Sequence, residues 1–551
     1  MLAVTMVLSN NNLAVFAEEA GSKNQSVMVE EQQVEQQQKE QQQENESDTQ
    51  PEEQQEEQQE ETEVSGEELS ENQTEVSDND SEKVNLTLEL LSAEESADTN
   101  ETIQTVDELV KLSKSDAQTY QNKTITLAPH DKEEWDLSGT EFAGLGSDAY
   151  PFKGSISFSG EYTGYITLDK ALFNAISGDA KINSTLNLRA ADNMTDPILA
   201  KSYVAGENSE TSVQPIHLNI NAESKAATEE NADYSSFGGI IGTLGEKASV
   251  SLEVNSIIPA AKTAVSGEGN KGFFCNTMRK GSSLNLISFT GNADFNVTST
   301  NETAGALVGC MAANANLTVG TEFAYSGSVN GAQNAGGLVG STAAGAQINL
   351  NENYTVSGSI TSGNGNAGGL IGLAENNPVN LTTKGKKVSV TNATLSANGT
   401  SGAAGGLFGF NTISQENLSL DLATYSVDGV TITSGKYAGG VFGVLQNGAE
   451  SSGTHTYTIG IEAEAKANVS STGNGVENYG GLIGKYEAKN LGSALNLKNL
   501  HLTSSHNETK KTAYAGVIAE VTGKSYVKMD DLTVAVNQKV ENGSYFGGLV
   551  A

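Results

Sequence analysis

The sequence predicts an all-β chain folded as a right-handed parallel β-helix, a β-solenoid of about 34-residue units, and three observations predict it. The run NAGGLVG at residues 334–340 returns as NAGGLIG, AAGGLFG, YAGGVFG and NYGGLIG, and self-similarity at a fixed period marks a repeat architecture. Between the runs, segments such as Gln347–Leu350, 354–357 and 387–390 place an apolar or β-branched residue at every second position, which is strand periodicity. The units consist of Gly, Asn, Ser and Thr, whereas a helical array of similar period needs Leu, Ala, Glu, Lys and Arg at a 3.6-residue spacing. The L-x-x-L-x-L pattern of leucine-rich repeats is absent too.

Residues 1–17 read as the remnant of a signal peptide: 1–8 are apolar, and 13–17 end in Val15-x-Ala17 just before Glu18, the form of a signal-peptidase site. Export to the cell surface or cell wall, or secretion, is the expected fate. No Lys or Arg precedes the apolar run, and Ser9 with Asn10 to Asn12 interrupts it, so the true start is expected upstream. Residues 18–101 form an acidic Gln/Glu-rich region with 28 acids and 3 bases, which holds -25 of the chain's net charge of -38. Lacking aromatics, it cannot bury enough apolar area to offset its ordering entropy and is expected to be disordered. No apolar heptad is present to make a coiled coil.

Residues 102–236 are expected to hold a capping helix and the first, irregular coils. A short amphipathic helix falls at 105–112, a strand at 123–127, and further extended pieces at 135–138 and 151–154, with two irregular coils at 171–186 and 196–220. From 237 to 551 the repeats take over. The first glycine of each GG pair lies at 238, 305, 336, 368, 405, 439, 480 and 547, with degenerate copies at Lys271 and Ala515. The chain stops inside a unit, at 546–551, and reads as a piece of a longer protein.

Two adjacent apolar residues follow every GG pair, as in Leu338-Val339, Leu370-Ile371 and Leu407-Phe408. Neighbouring strand residues face opposite ways, so one of each pair is expected in the core and the other under a turn or on an apolar stripe. The closing glycine of the run becomes Cys275, Ala519 and Ala551 in other copies. That tolerance points to a need for small volume rather than for a left-handed backbone.

With its Gly337-Leu338-Val339-Gly340 core and its equivalents, the chain resembles the GLUG-motif repeats of bacterial, Gram-positive-type surface proteins over roughly 450 residues. The opening helix, the strand at 123–127 and the Pro151-Phe152-Lys153-Gly154 turn are similar to the N-terminal edge of such domains. After Gly154 the chain departs from that pattern, with 155–160 in place of the usual turn. The resemblance implies a β-helical display module.

Candidate chemistry is sparse. None of His130, His217, His455, His501 and His506 has a partner at metal-ligand spacing, so no metal site is predicted. The GxGxxG matches at 267–272 and 363–368 lack a βαβ setting, and 59 glycines make chance matches easy; no cofactor-binding residues are predicted. Polysaccharide-cleaving β-helices need clustered carboxylates with Arg or Lys. Here the arginines are Arg189 and Arg279, and the adjacent acids beyond 236 are Asp530 and Asp531; no catalytic residues are predicted. The acidic charge opposes nucleic-acid binding. Cys275 is aligned with Gly309, one residue short of Cys310, and that offset opposes a disulfide. Sequons at Asn316 and Asn392 are read as Asn on turns and strand faces, stacking in ladders between coils, rather than as glycosylation sites.

Three functions fit these features. The first is a noncatalytic stalk or adhesin whose lateral faces bind host or bacterial glycans or matrix proteins weakly and multivalently. The others are the noncatalytic N-terminal region of a large exported protease, resembling IgA-cleaving peptidases, and a β-helical polysaccharide-degrading enzyme. Ligand contacts are expected on the variable residues between the GG runs, such as 321–330 and 450–457.

Overall fold

The computed structural model describes residues 2–8, 13–16 and 100–551, except 131–133, 193, 208–213, 223–235, 258–263, 376–379, 414–417, 448–455, 462–466, 475, 490–492, 507–512, 524 and 539–544. All of the acidic region expected to be disordered, apart from residues 100 and 101, lies outside the described residues. The described residues belong to one unit, Asp98–Ala551 with Met1–Ala17.

This unit is a parallel β-solenoid of about 11 turns of about 33 residues. Among the described residues its longest ladder has 11 strands, from Phe173–Ser177 to Ile518–Thr522. One turn illustrates the rest. Ala335–Gly336 lies in the GG ladder, Val339–Thr342 in the long ladder and Gln347–Leu350 on the next face, and Tyr354–Val356 with Ser359–Ser362 brings the chain back.

The GG pair is where the chain turns a corner. Ala367–Gly368 is a strand, Gly369 and Leu370 form a bend, and Ile371–Ala374 is the next strand. The bend breaks the alternation that a continuous strand imposes, so both members of the apolar pair, Leu370 and Ile371, are fully buried. The expected division into one core residue and one turn-covered residue therefore does not occur. Leu338, Leu370 and Leu407 stack on one another, the Leu338 N–H donating to Leu370 O and the Leu370 N–H to Leu407 O, each at 2.9 Å. The small-volume reading of the closing glycine holds. A Cβ on Gly372 would stand 2.6 Å from Ala335 O and 2.7 Å from Gly340 O, and Gly340, Gly372 and Gly409 are not at positive φ.

One copy is displaced from the alignment expected from sequence. Lys271 bridges to Ala304, and Cys275 pairs with Val308, so Gly272 rather than Lys271 holds the place of the first glycine. Asn276 rather than Cys275 then stands where the other runs close with glycine. The Asn276 side chain is buried; its Nδ2 donates to Gly238 O at 2.8 Å, and its Oδ1 accepts from the Gly272 N–H at 3.1 Å. Cys310 therefore lies two residues beyond the partner of Cys275, opposite Thr277. Both thiols are free, Cys275 buried and Cys310 half-buried, and burial pushes the Cys275 thiol up to about 12.

Two columns of left-handed residues, one in turns and one at kinks in or between strands, mark other corners. Lys247, Gly281, Asn314 and Gly345 have φ between 57° and 76°, and Asn392, Gly429, Asn499 and Asp531 between 50° and 63°. Asn, Asp and Gly enter this region at the lowest cost. Aromatic side chains fill the interior between the corners. The Phe323 and Tyr354 rings stack at 5.8 Å, and the buried hydroxyls find backbone acceptors, Tyr354 on Gly337 O at 2.7 Å and Tyr325 on Phe295 O at 3.0 Å.

The N-terminal end carries the expected helix, Val106–Lys114, with Thr105 as N-cap and Glu108 completing a capping box. Residues Ser155–Phe158, where the chain departs from the GLUG pattern, form a strand parallel to Thr124–Leu127. The segments read as a signal remnant contribute strands Leu2–Leu8 and Leu13–Phe16, antiparallel to Ser525–Gln538.

Candidate functional site

Most of the residues with chemical promise in the sequence fall in the ladders and turns of the solenoid. Asp530 stands opposite Lys498 within strand Ser525–Gln538, and Asp531, at φ 50°, kinks that strand. The GxGxxG matches fall in solenoid turns: 267–272 joins strand Ala264–Gly267 to the Lys271 bridge, and 363–368 runs into the GG ladder. His217 Nδ1 lies 3.1 Å from Glu253 Oε2, and His455 lies outside the described residues. Among the described residues no group of three or more His, Cys, Asp or Glu is placed to hold a metal ion.

The variable segments are less free than expected. Within 321–330, Phe323, Tyr325 and Val329 enter the core, leaving Glu322, Ala324 and Ser326 exposed. Of 450–457, residues 450–455 lie outside the described residues, and Tyr457 is buried. Asparagine ladders do form. The Asn219 amide donates to Asn187 Oδ1 at 2.7 Å, and the Thr290 hydroxyl to Asn255 Oδ1 at 3.0 Å. Asn316, of the first sequon, accepts from Asn349 Nδ2 at 2.8 Å. Side chains bonded to the next coil stiffen the face that they cover.

One cluster was missed because its members are far apart in sequence. Asp136, Thr167 and Arg189 are successive partners across three parallel strands, Trp135–Asp136, Ile166–Leu168 and Leu186–Ala190. Their inward neighbours Trp135, Ile166 and Leu188 are buried. The turns that follow these strands supply Ser138, Gly139, Asp169 and Asp192, which with Thr167 and Arg189 line a cavity of about 240 Å³.

The cluster is braced from below and from the side. The Gly139 N–H donates to Asp169 Oδ2 at 2.9 Å, and the Ser138 N–H to Asp136 Oδ1 at 3.0 Å. Arg189 Nη1 donates to Glu134 Oε1 at 2.7 Å, and its guanidinium lies 4.8 Å from the Tyr165 ring centroid, a cation–π distance. Three polar atoms stay without partners: Thr167 Oγ1, Asp169 Oδ1 and Arg189 Nε. Thr167 is only 2% exposed, and a buried polar atom left unpaired costs about 1–3 kcal/mol. The sequence signal was the recurrence of polar–apolar–polar strand ends, Asp136-Leu137-Ser138 and Thr167-Leu168-Asp169.

A second unpaired group lies at the other end of the solenoid. His506 is fully buried between Tyr479 and Tyr514, at ring distances of 5.8 and 3.9 Å, and neither ring nitrogen has a hydrogen-bond partner. Burial lowers its pKa to about 4. The unfolded imidazole takes its proton near pH 6.5, so the unfolded state binds more protons between pH 6.5 and 4, and stability present above pH 6.5 is lost as pH falls through that window. The full loss is on the order of 3 kcal/mol. Urea titrations of the parent and of His506→Phe at pH 7.5 and 4.5 should show the parent's stability relative to the variant falling by about 2–3 kcal/mol at the lower pH. A constant difference would mean that the folded imidazole protonates freely.

Comparison with protein-family models, with curated proteins and with solved structures finds no match for this chain.

Proposed function

We propose that this chain is a noncatalytic repeat module of the cell surface or extracellular space, a stiff stalk or adhesin-like scaffold whose lateral faces make weak, multivalent contacts with glycans or matrix proteins. We further propose that its units are of the GLUG type. The observation that carries this reading is how the repeat uses its recurrent residues. Leu370 and its equivalents fill a corner of the core, and Gly372 and its equivalents let one coil close on the next. The recurrent positions thus serve stacking, and the residues free to vary are those on the lateral faces. The signal-like segment at 1–17 supports export.

The test is to apply the purified, fluorescently labelled full chain to bacterial and epithelial cells and to a glycan array. Binding that strengthens when the chain is clustered on beads is expected. Absence of binding in every format, or turnover of a polysaccharide or peptide by the purified chain, would overturn the proposal.

A further inference from the structure

We infer that Asn398 is a site of spontaneous covalent self-modification, at which the chain converts its own side-chain amide to a carboxylate with water as the co-reactant. The inference does not depend on the display reading.

Six Asn-Gly pairs stand in the sequence, at Asn330, Asn364, Asn398, Asn447, Asn474 and Asn542. In such a pair the glycine nitrogen can close on the neighbouring Asn Cγ, because the reacting groups are adjacent in the chain and glycine has no Cβ to hinder the ring. A C–N bond forms, the glycine N–H proton passes to water, and the side-chain nitrogen leaves as ammonia. Water then opens the resulting imide at either carbonyl, leaving aspartate or its isomer in which the main chain runs through Cγ. The sum is one amide and one water giving one carboxyl group and one ammonia.

The fold decides which pair reacts. Asn330 and Gly331 are locked in strand Ser328–Gly331, with a partner strand on each side. Asn447 is fully buried, its Nδ2 donating to the Tyr486 hydroxyl at 3.1 Å. The glycines after Asn474 and Asn542 lie outside the described residues. Asn364 is exposed, but the Gly365 N–H that has to attack donates to Ser362 Oγ at 2.9 Å. Asn398, one coil on, is exposed as well, and here the nitrogen is free: the Gly399 N–H has no hydrogen-bond partner among the described residues. Its counterpart in the coil before, the Asn364 N–H, donates to Ala332 O at 2.9 Å.

A second group favours the same site. The Ser396 hydroxyl donates to Asn398 Oδ1 at 2.9 Å. Negative charge builds on that oxygen as the glycine nitrogen attacks, and a donor already aimed at developing charge lowers the barrier. The surroundings give the product a consequence. Ser396 stands in an outward column with Thr361 and Thr433 of the adjoining coils, so conversion sets a carboxylate beside a strip of uncharged hydroxyls. The isomer also adds a carbon to the main chain next to the Asn398 N–H that donates to Ser362 O.

The full chain is aged folded at neutral pH and, in parallel, unfolded in urea, both in water enriched in heavy oxygen, and the peptides bearing Asn364 and Asn398 are followed by mass spectrometry. In the folded chain Asn398 is expected to convert roughly tenfold faster than Asn364, the upper end of what one hydrogen bond held against reaction is worth. In urea the two rates should converge. Ser396→Ala should slow Asn398 about threefold or more, with the rate at Asn364 and the melting curve unchanged. Ser362→Ala, which releases the Gly365 N–H, should speed Asn364. The inference is overturned if Asn398 converts no faster than Asn364 in the folded chain, if the same ratio of rates persists in urea, or if a folded Ser396→Ala protein converts Asn398 at the parent's rate. Should either variant fail to fold, the folded and urea rates of the parent decide the matter by themselves.

Discussion

Gly369→Val is expected to destabilise the middle of the solenoid by about 3 kcal/mol or more, above the usual range of about 1–3 kcal/mol for an overpacked core. The reason is what surrounds the site. A Cβ at Gly369 would collide with the carbonyl oxygen of Gly406 in the next coil, and it would stand 2.8 and 2.9 Å from the two methyls of Val390. A side chain can swing away, but the Gly406 carbonyl belongs to a ladder of corners and cannot move without disturbing it. The Gly369 N–H donates to Gly405 O at 3.2 Å, and the Gly406 N–H to Gly439 O at 3.2 Å, so relief at one coil strains its neighbour. Ala306 occupies the equivalent place in an earlier coil, and Gly369→Ala is therefore expected to be milder than Val. Urea midpoints of parent, Ala and Val proteins decide the matter. A Val variant as stable as the parent would show that the corner has room.

The fold was largely legible because the repeat compares each position with itself some ten times over. The small-volume need at Gly372, the strand at Gln347–Leu350 and the helix that begins after Thr105 all follow from residue pattern and local chemistry. What misled was the one-residue slip at Lys271. Its cause is physical: Asn276 replaces a closing glycine by bonding back to Gly238, a substitution that glycine counting does not detect. The fate of the apolar pairs was hidden as well, since strand alternation says nothing about a bend placed between two residues.

The candidate site was illegible for a different reason. Asp136, Thr167 and Arg189 lie on successive coils, and the short polar–apolar–polar ends shared by 136–138 and 167–169 are too common a pattern in strands to mark them as neighbours. They meet only because the ladder aligns Trp135 with Ile166 and Ile166 with Leu188. A repeat-based reading favours the regular coils after 237, where recurrence is strongest, and the cavity sits among the irregular ones. In a solenoid the positions that recur hold the coil, so a binding site is to be sought where recurrence fails.

Leu370→Ala should cost about 2–5 kcal/mol, the range for emptying a fully buried leucine site, and the upper half of that range is expected here. Leu370 is fully buried, with Leu338 on one side and Leu407 on the other in the same corner column. Backbone hydrogen bonds of 2.9 Å join these three residues and hold the coils at the sheet spacing of about 4.8 Å. The neighbouring leucines therefore cannot settle into the space that the lost side chain leaves, and an uncollapsed cavity is the costly kind. Ile371→Val, one residue on and equally buried, removes a single methylene and should cost only about 0.5–1.5 kcal/mol. Because each coil touches only its neighbours, the damage should also be local. Hydrogen exchange in Leu370→Ala should accelerate first at Val339–Thr342 and Phe408–Ile413, while strands Phe173–Ser177 and Ala200–Val204 keep the parent's protection. Equal protection everywhere, with an unshifted urea midpoint, would mean that the leucine column does not hold the coils together.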